Sequence, residues 1–536
     1  MELDRRDVLK LGGLGAAGVA AGIVLPSRNI EAATASQIDP AYLPDVFATP
    51  FAVPPVLRPR RSVREDDGVW CDHYMISERM FNASILKGGR TTQMFGYEGL
   101  YPGPTIKASQ GRRARLLVRN QLPSRHPVIG HESSTSVHLH GSASAPQYDG
   151  YASDITPSGF YKEYRYPNIQ PARTLWYHDH GVHHTAENVY AGLVAQYHLT
   201  DPVERELLPQ GEFDVPLIVG DIAFDANGQL LLDDNSHSGV FGDVVLVNGR
   251  PWPVMKVKRR VYRFRMLSAT IGRSWRWQLG PGYPMHIVAT DGGLMPQTQT
   301  VSQFRHAQAE RYEVLVDFSQ FPAGTRIVLN NLSNPNNRDY DNTDKVMAFD
   351  VVDDPFDKSD PTWNRIPQNL VDSHVMQLRS GMEKRRRHLR VQRTNGMWTI
   401  NGHTWADVVD SDFQLLVADP DLNDTEVWTI ENRSGGWFHP VHIHLVDFNI
   451  LSRNGVPCFP WERGPKDVAY VGENESVDVI MKFEHHRGRY MIHCHNLSHE
   501  DHDMMQQFAV GWKPGDPDLN DPIRADRCKY DDLADS

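Results

Sequence analysis

Residues 493–505 read His-Cys-His-Asn-Leu-Ser-His-Glu-Asp-His-Asp-Met-Met. Cys494, His499 and Met504 supply a thiolate, an imidazole and a thioether at spacings of five residues each. With one more imidazole they make the soft His₂Cys set with a weak axial Met that suits a blue-copper electron-transfer centre. His493 and His495 flank the cysteine. On an extended strand residues i and i+2 share a face and residue i+1 takes the other. Cys494 is thus expected to face one metal site and the two histidines another, on the order of 10 Å away and joined to it by backbone.

Four His-x-His pairs follow the same logic: His138/His140, His178/His180, His442/His444 and His493/His495. With 25 His in 536 residues, chance alone gives roughly one such pair. Eight convergent imidazoles suit a multinuclear copper cluster, because neutral imidazole is a favoured copper ligand. The remaining imidazole of the blue-copper set is His439, an odd number of residues from His442 and so on the opposite face of the same strand.

The segments His138-Leu-His-Gly141, Trp176-Tyr-His-Asp-His180, His439-Pro-Val-His-Ile-His444 and His493-Cys-His495 resemble the four ligand segments of multicopper oxidases. Within that family the chain is most similar to the branch of bilirubin oxidases, spore-coat laccases and phenoxazinone synthases. The phrases Arg173-Thr-Leu-Trp-Tyr-His-Asp-His180, Thr185-Ala-Glu187 and Cys494 to Met504 read closest to bilirubin oxidase. The resemblance implies four copper ions: one type 1 ion on His439, Cys494, His499 and Met504, one type 2 ion on His138 and His442, and a type 3 pair on His140, His178, His180, His444, His493 and His495. It further implies that phenolic, aminophenolic or tetrapyrrole donors are oxidised one electron at a time, with Cys494 passing each electron to the cluster where O₂ becomes water. Four protons are needed, and the resemblance places donors at Asp149 and Glu500. The blander readings are a turn Asp before Gly150 and a surface Glu.

Two other functional classes are compatible with a copper fold. An envelope metallo-oxidase acting on Cu(I) or Mn(II) would be signalled by a Met-rich insertion, and the 16 Met of this chain are dispersed. A scaffold or copper-storage protein would be expected to lose ligands, and none is missing here. His183, His184, His485, His486 and His502 fall outside the required spacing and read as solvated or supporting residues. Asp179, between two ligands, points away from the cluster by its period and reads as structural. Trp437, two residues before His439, is equally compatible with a donor-facing wall and with packing.

The elements that must carry these residues are strands. Gly 41 and Pro 36 punctuate short β-branched and aromatic runs such as Arg115–Arg119, Val261–Arg265 and Arg311–Asp317, an all-β signature. The resemblance names the fold as three cupredoxin-like Greek-key β-sandwich domains. The expected division is 1–35, a signal segment; 36–205 and 361–536, the ligand-bearing domains; and 206–360, a metal-free domain between them. Pro284-Met-His-Ile-Val-Ala-Thr-Asp291 reads as the middle counterpart of the two His-x-His strands, with His286 packed rather than ligating. Ligands from the first and last domains alone require those domains to meet at the cluster. Net charge −12 argues against nucleic acid as a partner, and Lys384–His388 reads as a short solvated basic run.

Arg5-Arg6 before a Gly/Ala-rich apolar stretch, with Ala33-Thr-Ala35 as a cleavage site, is the pattern read by the twin-arginine export machinery. The expectation is a protein working outside the cytoplasmic membrane, in the periplasm, the envelope or the medium. An oxidising compartment permits one disulfide among Cys71, Cys458 and Cys528, with Cys71–Cys528 one possibility.

Overall fold

The computed structural model describes residues 35–353, 363–516, 521–522 and 528–529. The signal segment up to Thr34 and the expected boundary at Asp354-Pro355 lie outside them. The regular structure of the described residues is mainly strand, in six sheets, with a few short helices. Two sheets use strands from residues 56–200, two use residues 214–352 and two use residues 385–510, with a short return strand Cys528–Lys529 on the first segment. The all-β expectation holds.

One pairing pattern recurs in each segment. Trp70–Ala83 runs parallel to Arg113–Asn120, which runs antiparallel to Phe160–Tyr166. Asp214–Ile222, Val261–Ser268 and Arg311–Asp317 repeat this, as do Arg385–Thr394, Thr425–Asn432 and Ser476–Lys482. A parallel pair needs a long crossover, so consecutive strands alternate between the two sheets of each sandwich.

The second sheet of the outer segments carries the ligands. Val137–His140 pairs with Arg173–Asp179, and His439–Ile443 pairs with Gly488–Cys494. In the middle segment the strands in the equivalent places are Trp275–Leu279 and Arg326–Asn331. This corrects the repeat expected at Pro284–Asp291. Strand Met285–Thr290 belongs to the other sheet, between Arg311–Asp317 and Gly293–Val301, and His286 lies 2.9 Å from Thr300 Oγ1. The middle segment holds the buried, stacked pair Trp275 and Trp277 where its neighbours hold His-x-His.

The apolar core of the first segment is continuous with that of the middle one, while the third forms its own. Arg263 and Arg265 add a buried ionic tie by pairing with Glu204 of the first segment and with Asp214 and Glu313. The Cys71–Cys528 pairing does not fit the register. Cys71 stands opposite Arg113, whereas Cys528 stands opposite Tyr161, itself opposite Arg119. Three strand spacings of about 4.8 Å and six residues separate the two, beyond disulfide reach.

His306 gives the fold a pH dependence away from the ligand strands. Its Nδ1 accepts from Trp277 Nε1 at 2.9 Å and its Nε2–H donates to the Glu310 carbonyl at 2.6 Å. Burial pushes its pKa down to about 3. The folded state therefore holds fewer protons than the unfolded chain at any pH between about 3 and 6.5. Its stability contribution is intact above 6.5 and declines as pH falls, by about 2 kcal/mol at pH 5. The expected result is that His306→Gln flattens the fall in melting temperature between pH 7 and 5. A variant whose melting curve parallels the unmutated one over that range would refute it.

Candidate metal centres

The alternation expected around Cys494 is realised. In strand Gly488–Cys494, Cys494 stands opposite Val441, and His493 stands opposite His442. Cys494 Sγ lies 3.3 Å from His439 Nδ1 and 3.6 Å from His499 Nδ1, and the two nitrogens are 3.2 Å apart. Donors each about 2 Å from a single ion stand about 3.5 Å apart, so the triangle fits one metal. His499 comes from the short helix Leu497–Asp501. Met504 is fixed by backbone: its N–H donates to the His499 carbonyl and its carbonyl accepts from Cys494 N–H. It is buried in the same apolar cluster as Cys494.

The outward nitrogens of both imidazoles are also held. Ser434 Oγ lies 2.8 Å from His439 Nε2, and the Asn496 side-chain amide lies 3.2 Å from His499 Nε2. Such partners fix which nitrogen faces the metal. Trp398 packs on His499 with ring centroids 4.0 Å apart and an interplanar angle of 34°, and meets His439 at 5.3 Å. Trp437 is half-buried, edge-on to His499 at 5.9 Å.

The eight His-x-His residues converge on the other side. His138 stands opposite His178 across their strand pair. Four groups of metal-ligand atoms lie within 4.8 Å of one another: His138, His140 and His442; His140, His178 and His495; His180, His444 and His493; and His138, Asp149 and His444. The Nε2 atoms of His180 and His444 each stand 3.1 Å from Nε2 of His493. The Nδ1–H groups of His138, His178 and His442 donate to the carbonyls of Asp149, Asp179 and Asp467. That leaves Nε2 of His138, His178 and His442, Nδ1 of His140, and both ring nitrogens of His495 buried without a partner among the described residues. Orphaned polar atoms cost about 1–3 kcal/mol apiece. A cluster of them aimed at one space fits bound metal.

Burial keeps these imidazoles neutral, the form that binds metal. It pushes His439 down to about 3 and His180 to about 4, and His138, His140, His178, His442, His444, His495 and His499 well below the ordinary range. Burial drives the Cys494 thiol the other way, well above its usual value, so a thiolate there requires a cation beside it.

Both carboxylates singled out in the sequence reach the cluster from behind. Asp149 Oδ2 accepts from His444 Nδ1 at 2.8 Å, and burial holds its carboxyl well above the usual range, with Lys162 opposing. Glu500 Oε2 lies 2.8 Å from His493 Nδ1 and Oε1 lies 3.4 Å from His180 Nδ1. Asp179 is structural, as its period implied: it accepts from the backbone of Ser136 and Gly181 and from Asn188. The other histidines serve locally. His183 meets the Asp501 carbonyl, His184 meets Glu187, His486 meets the Ala143 carbonyl, and His502 stacks on His237.

Sequence spacing gave no sign of Asp467. Its Oδ1 lies 3.1 Å from His140 Nε2, turning Nδ1 of that ring to the cluster, while its backbone carbonyl holds His442. Arg311, from the middle segment, clamps both carboxylate oxygens at 2.7 and 2.5 Å. Gly141, just after His140, lies under this clamp at φ +86°. A Cβ there would meet Arg311 Nη2 at 2.5 Å and Asp467 Oδ2 at 2.7 Å, so only glycine fits.

A β-sandwich protein with a His₂Cys centre bonded through backbone to a cluster of eight imidazoles is a copper protein, since thiolate with imidazole and thioether selects that metal. Comparison with known proteins agrees. The multicopper oxidase family model matches residues 81–202 and 382–513. The bilirubin oxidase of Albifimbria verrucaria is 40% identical over 494 residues, 88% of this chain and 82% of that protein. The laccase of Bacillus subtilis (strain 168) is 31% identical over 87% of this chain and 98% of its own length. A solved laccase structure from Pediococcus acidilactici superposes with a TM-score of 0.75 at 26% identity, covering 89% of this chain and 95% of that one. The chain belongs to the multicopper oxidase family. It is a copper-dependent oxidoreductase of cupredoxin-like fold that reduces O₂.

Proposed function

We propose that the chain is a laccase- or bilirubin oxidase-like enzyme holding four copper ions. One type 1 ion would sit on His439, Cys494, His499 and Met504. One type 2 ion would sit on His138 and His442. A type 3 pair would sit on His140, His178 and His495 and on His180, His444 and His493. The observation that carries this reading is the separation of the His439, Cys494 and His499 donor atoms from the convergent groups formed by the eight His-x-His imidazoles, with Cys494 on one side of its strand and its two neighbouring histidines on the other. When bound, copper supplies one-electron chemistry at the first centre and reduction of O₂ to water at the second.

The chain's own residues do the rest. His439 and His499 pack against the buried Trp398, and the half-buried Trp437 beside His499 offers the surface where a phenol, an aminophenol or a tetrapyrrole can dock. Cys494 connects the centres through one residue of backbone on either side. Asp149 holds the back nitrogen of His444, Glu500 lies 2.8 Å from that of His493, and both are placed to move protons toward the cluster. Arg5-Arg6 and the segment after them support export by the twin-arginine machinery and action outside the cytoplasmic membrane.

Oxygen uptake by the fully copper-loaded protein tests this reading, with bilirubin, o-aminophenol and Cu(I) as competing donors. An organic donor should show the highest kcat/KM. A clear advantage for Cu(I) would replace the organic-donor reading with a metallo-oxidase, and no uptake with any donor would overturn the oxidase.

A further inference from the structure

Strands Arg385–Thr394 and Met397–Ile400 form a hairpin closed at Asn395–Gly396, with φ of 52° and 86°, the Asn-Gly turn that matches the twist of its strands. Arg393 and Trp398 are direct partners across it, so their side chains leave the same face. Trp398 is fully buried on His499, and its Nε1 donates to the His237 carbonyl at 2.6 Å. Arg393 lies outside it, exposed, with its guanidinium carbon 4.4 Å from the Trp398 ring centroid. One indole therefore separates a cation from the imidazole that faces Cys494.

The other arginines of that strand, Arg385, Arg386, Arg387 and Arg390, each have a carboxylate within 3.4 Å. Arg393 pairs with no carboxylate among the described residues, and its guanidinium sits over the indole. The titratable groups that face it are His237 and His502, stacked on each other at 3.9 Å. An imidazole is neutral or cationic, so neither supplies a negative charge to pair with the guanidinium. On a chain of net charge −12, an unpaired guanidinium beside the donor-facing centre is a docking point for an anion. Its planar fork suits a carboxylate or sulfonate, and its position over Trp398 leaves the donor's aromatic body to lie against the half-buried Trp437, whose ring centroid is 6.1 Å from that of Trp398.

We propose that Arg393 is a specificity-determining residue that binds the anionic group of the electron donor, selecting carboxylate- or sulfonate-bearing aromatic donors over cationic ones. The proposal rests on the oxidase reading above. Each donor gives up one electron and leaves oxidised; four such events with four protons convert one O₂ into two waters.

The test pairs two one-electron donors of opposite charge, ferrocenecarboxylate and (dimethylaminomethyl)ferrocene, on the copper-loaded protein. One unit charge at contact distance in water corresponds to about fivefold in binding. Arg393→Gln should therefore lower kcat/KM for the carboxylate about fivefold and raise it for the cation by a similar factor. Arg393→Glu should widen both changes, Arg393→Lys should restore most of the discrimination, and added salt should erode it. If both donors change by the same factor in Arg393→Gln, the residue merely packs on Trp398 and the proposal is overturned; no change with either donor overturns it equally. Absence of uptake with both donors in the unmutated protein is the distinct failure, that of the oxidase reading, and takes this subsite with it.

Discussion

Cys494→Ser is expected to lower O₂ uptake by at least about 10⁴-fold, the scale felt when a group carrying the reaction is removed. The serine hydroxyl is a hard donor that stays protonated, whereas the centre is built for a thiolate between His439 Nδ1 and His499 Nδ1 at 3.3 and 3.6 Å. The blue colour of a copper–thiolate centre should vanish. The cluster should keep its metal, because none of its eight imidazoles contacts Sγ and each has its own ligand group or backbone partner. The substitution removes little volume from a fully buried position, so the melting temperature of the metal-free protein should hardly move. The combination to measure is copper content, visible absorption, melting temperature and oxygen uptake. Lost colour with uptake retained would mean that electrons reach the cluster without Cys494, and would refute the bonded route.

The parts of this design legible in the sequence are those that depend on strand period and short spacing. His-x-His pairs, the Cys494–His499–Met504 spacing and the odd separation of His439 from His442 are local patterns of this kind; the eight His-x-His imidazoles converge, His439 and His499 lie with Cys494, and Met504 is buried in the same apolar cluster. What stayed hidden depends on segments distant in the chain coming together. Asp467 lies 327 residues from the His140 it orients and 156 from the Arg311 that clamps it, and no local pattern marks either. Trp398 gave no signal either, because its role follows from a hairpin folding over His499. The misplaced repeat at Pro284–Asp291 has a related cause. A four-residue hydrophobic-His pattern is too short to say which sheet its strand joins, and the true counterparts are tryptophans that share no chemistry with histidine. The middle segment thereby looked like a spacer. Through Arg311 it in fact reaches an imidazole of the cluster.

Glu500→Gln is expected to be the second largest loss, about 10²-fold in kcat, the lower end of what a placed general acid contributes. The helix Leu497–Asp501 turns consecutive residues to different tasks: His499 faces Cys494, and Glu500, about 100° further round, faces the cluster. Glu500 lies beside Nδ1 of two cluster imidazoles and is almost wholly buried. It can thus act in two ways, by holding those rings or by delivering protons that O₂ reduction consumes. Glutamine separates them. Its amide oxygen can still accept from His493 Nδ1–H, so a ring-holding role survives, but the amide carries no exchangeable acid. If proton delivery dominates, Glu500→Gln keeps its copper and its blue colour, its reduction by donor in the absence of O₂ stays fast, and turnover becomes slow with a larger solvent deuterium effect. If ring-holding dominates, Glu500→Gln works within about threefold of the unmutated enzyme, well short of the loss expected for a missing general acid, while Glu500→Ala loses cluster copper. The burial of Glu500 and its distances to two rings, 2.8 and 3.4 Å, favour the first outcome, because a carboxylate placed between two ring nitrogens without being locked to either can take up a proton and hand it on.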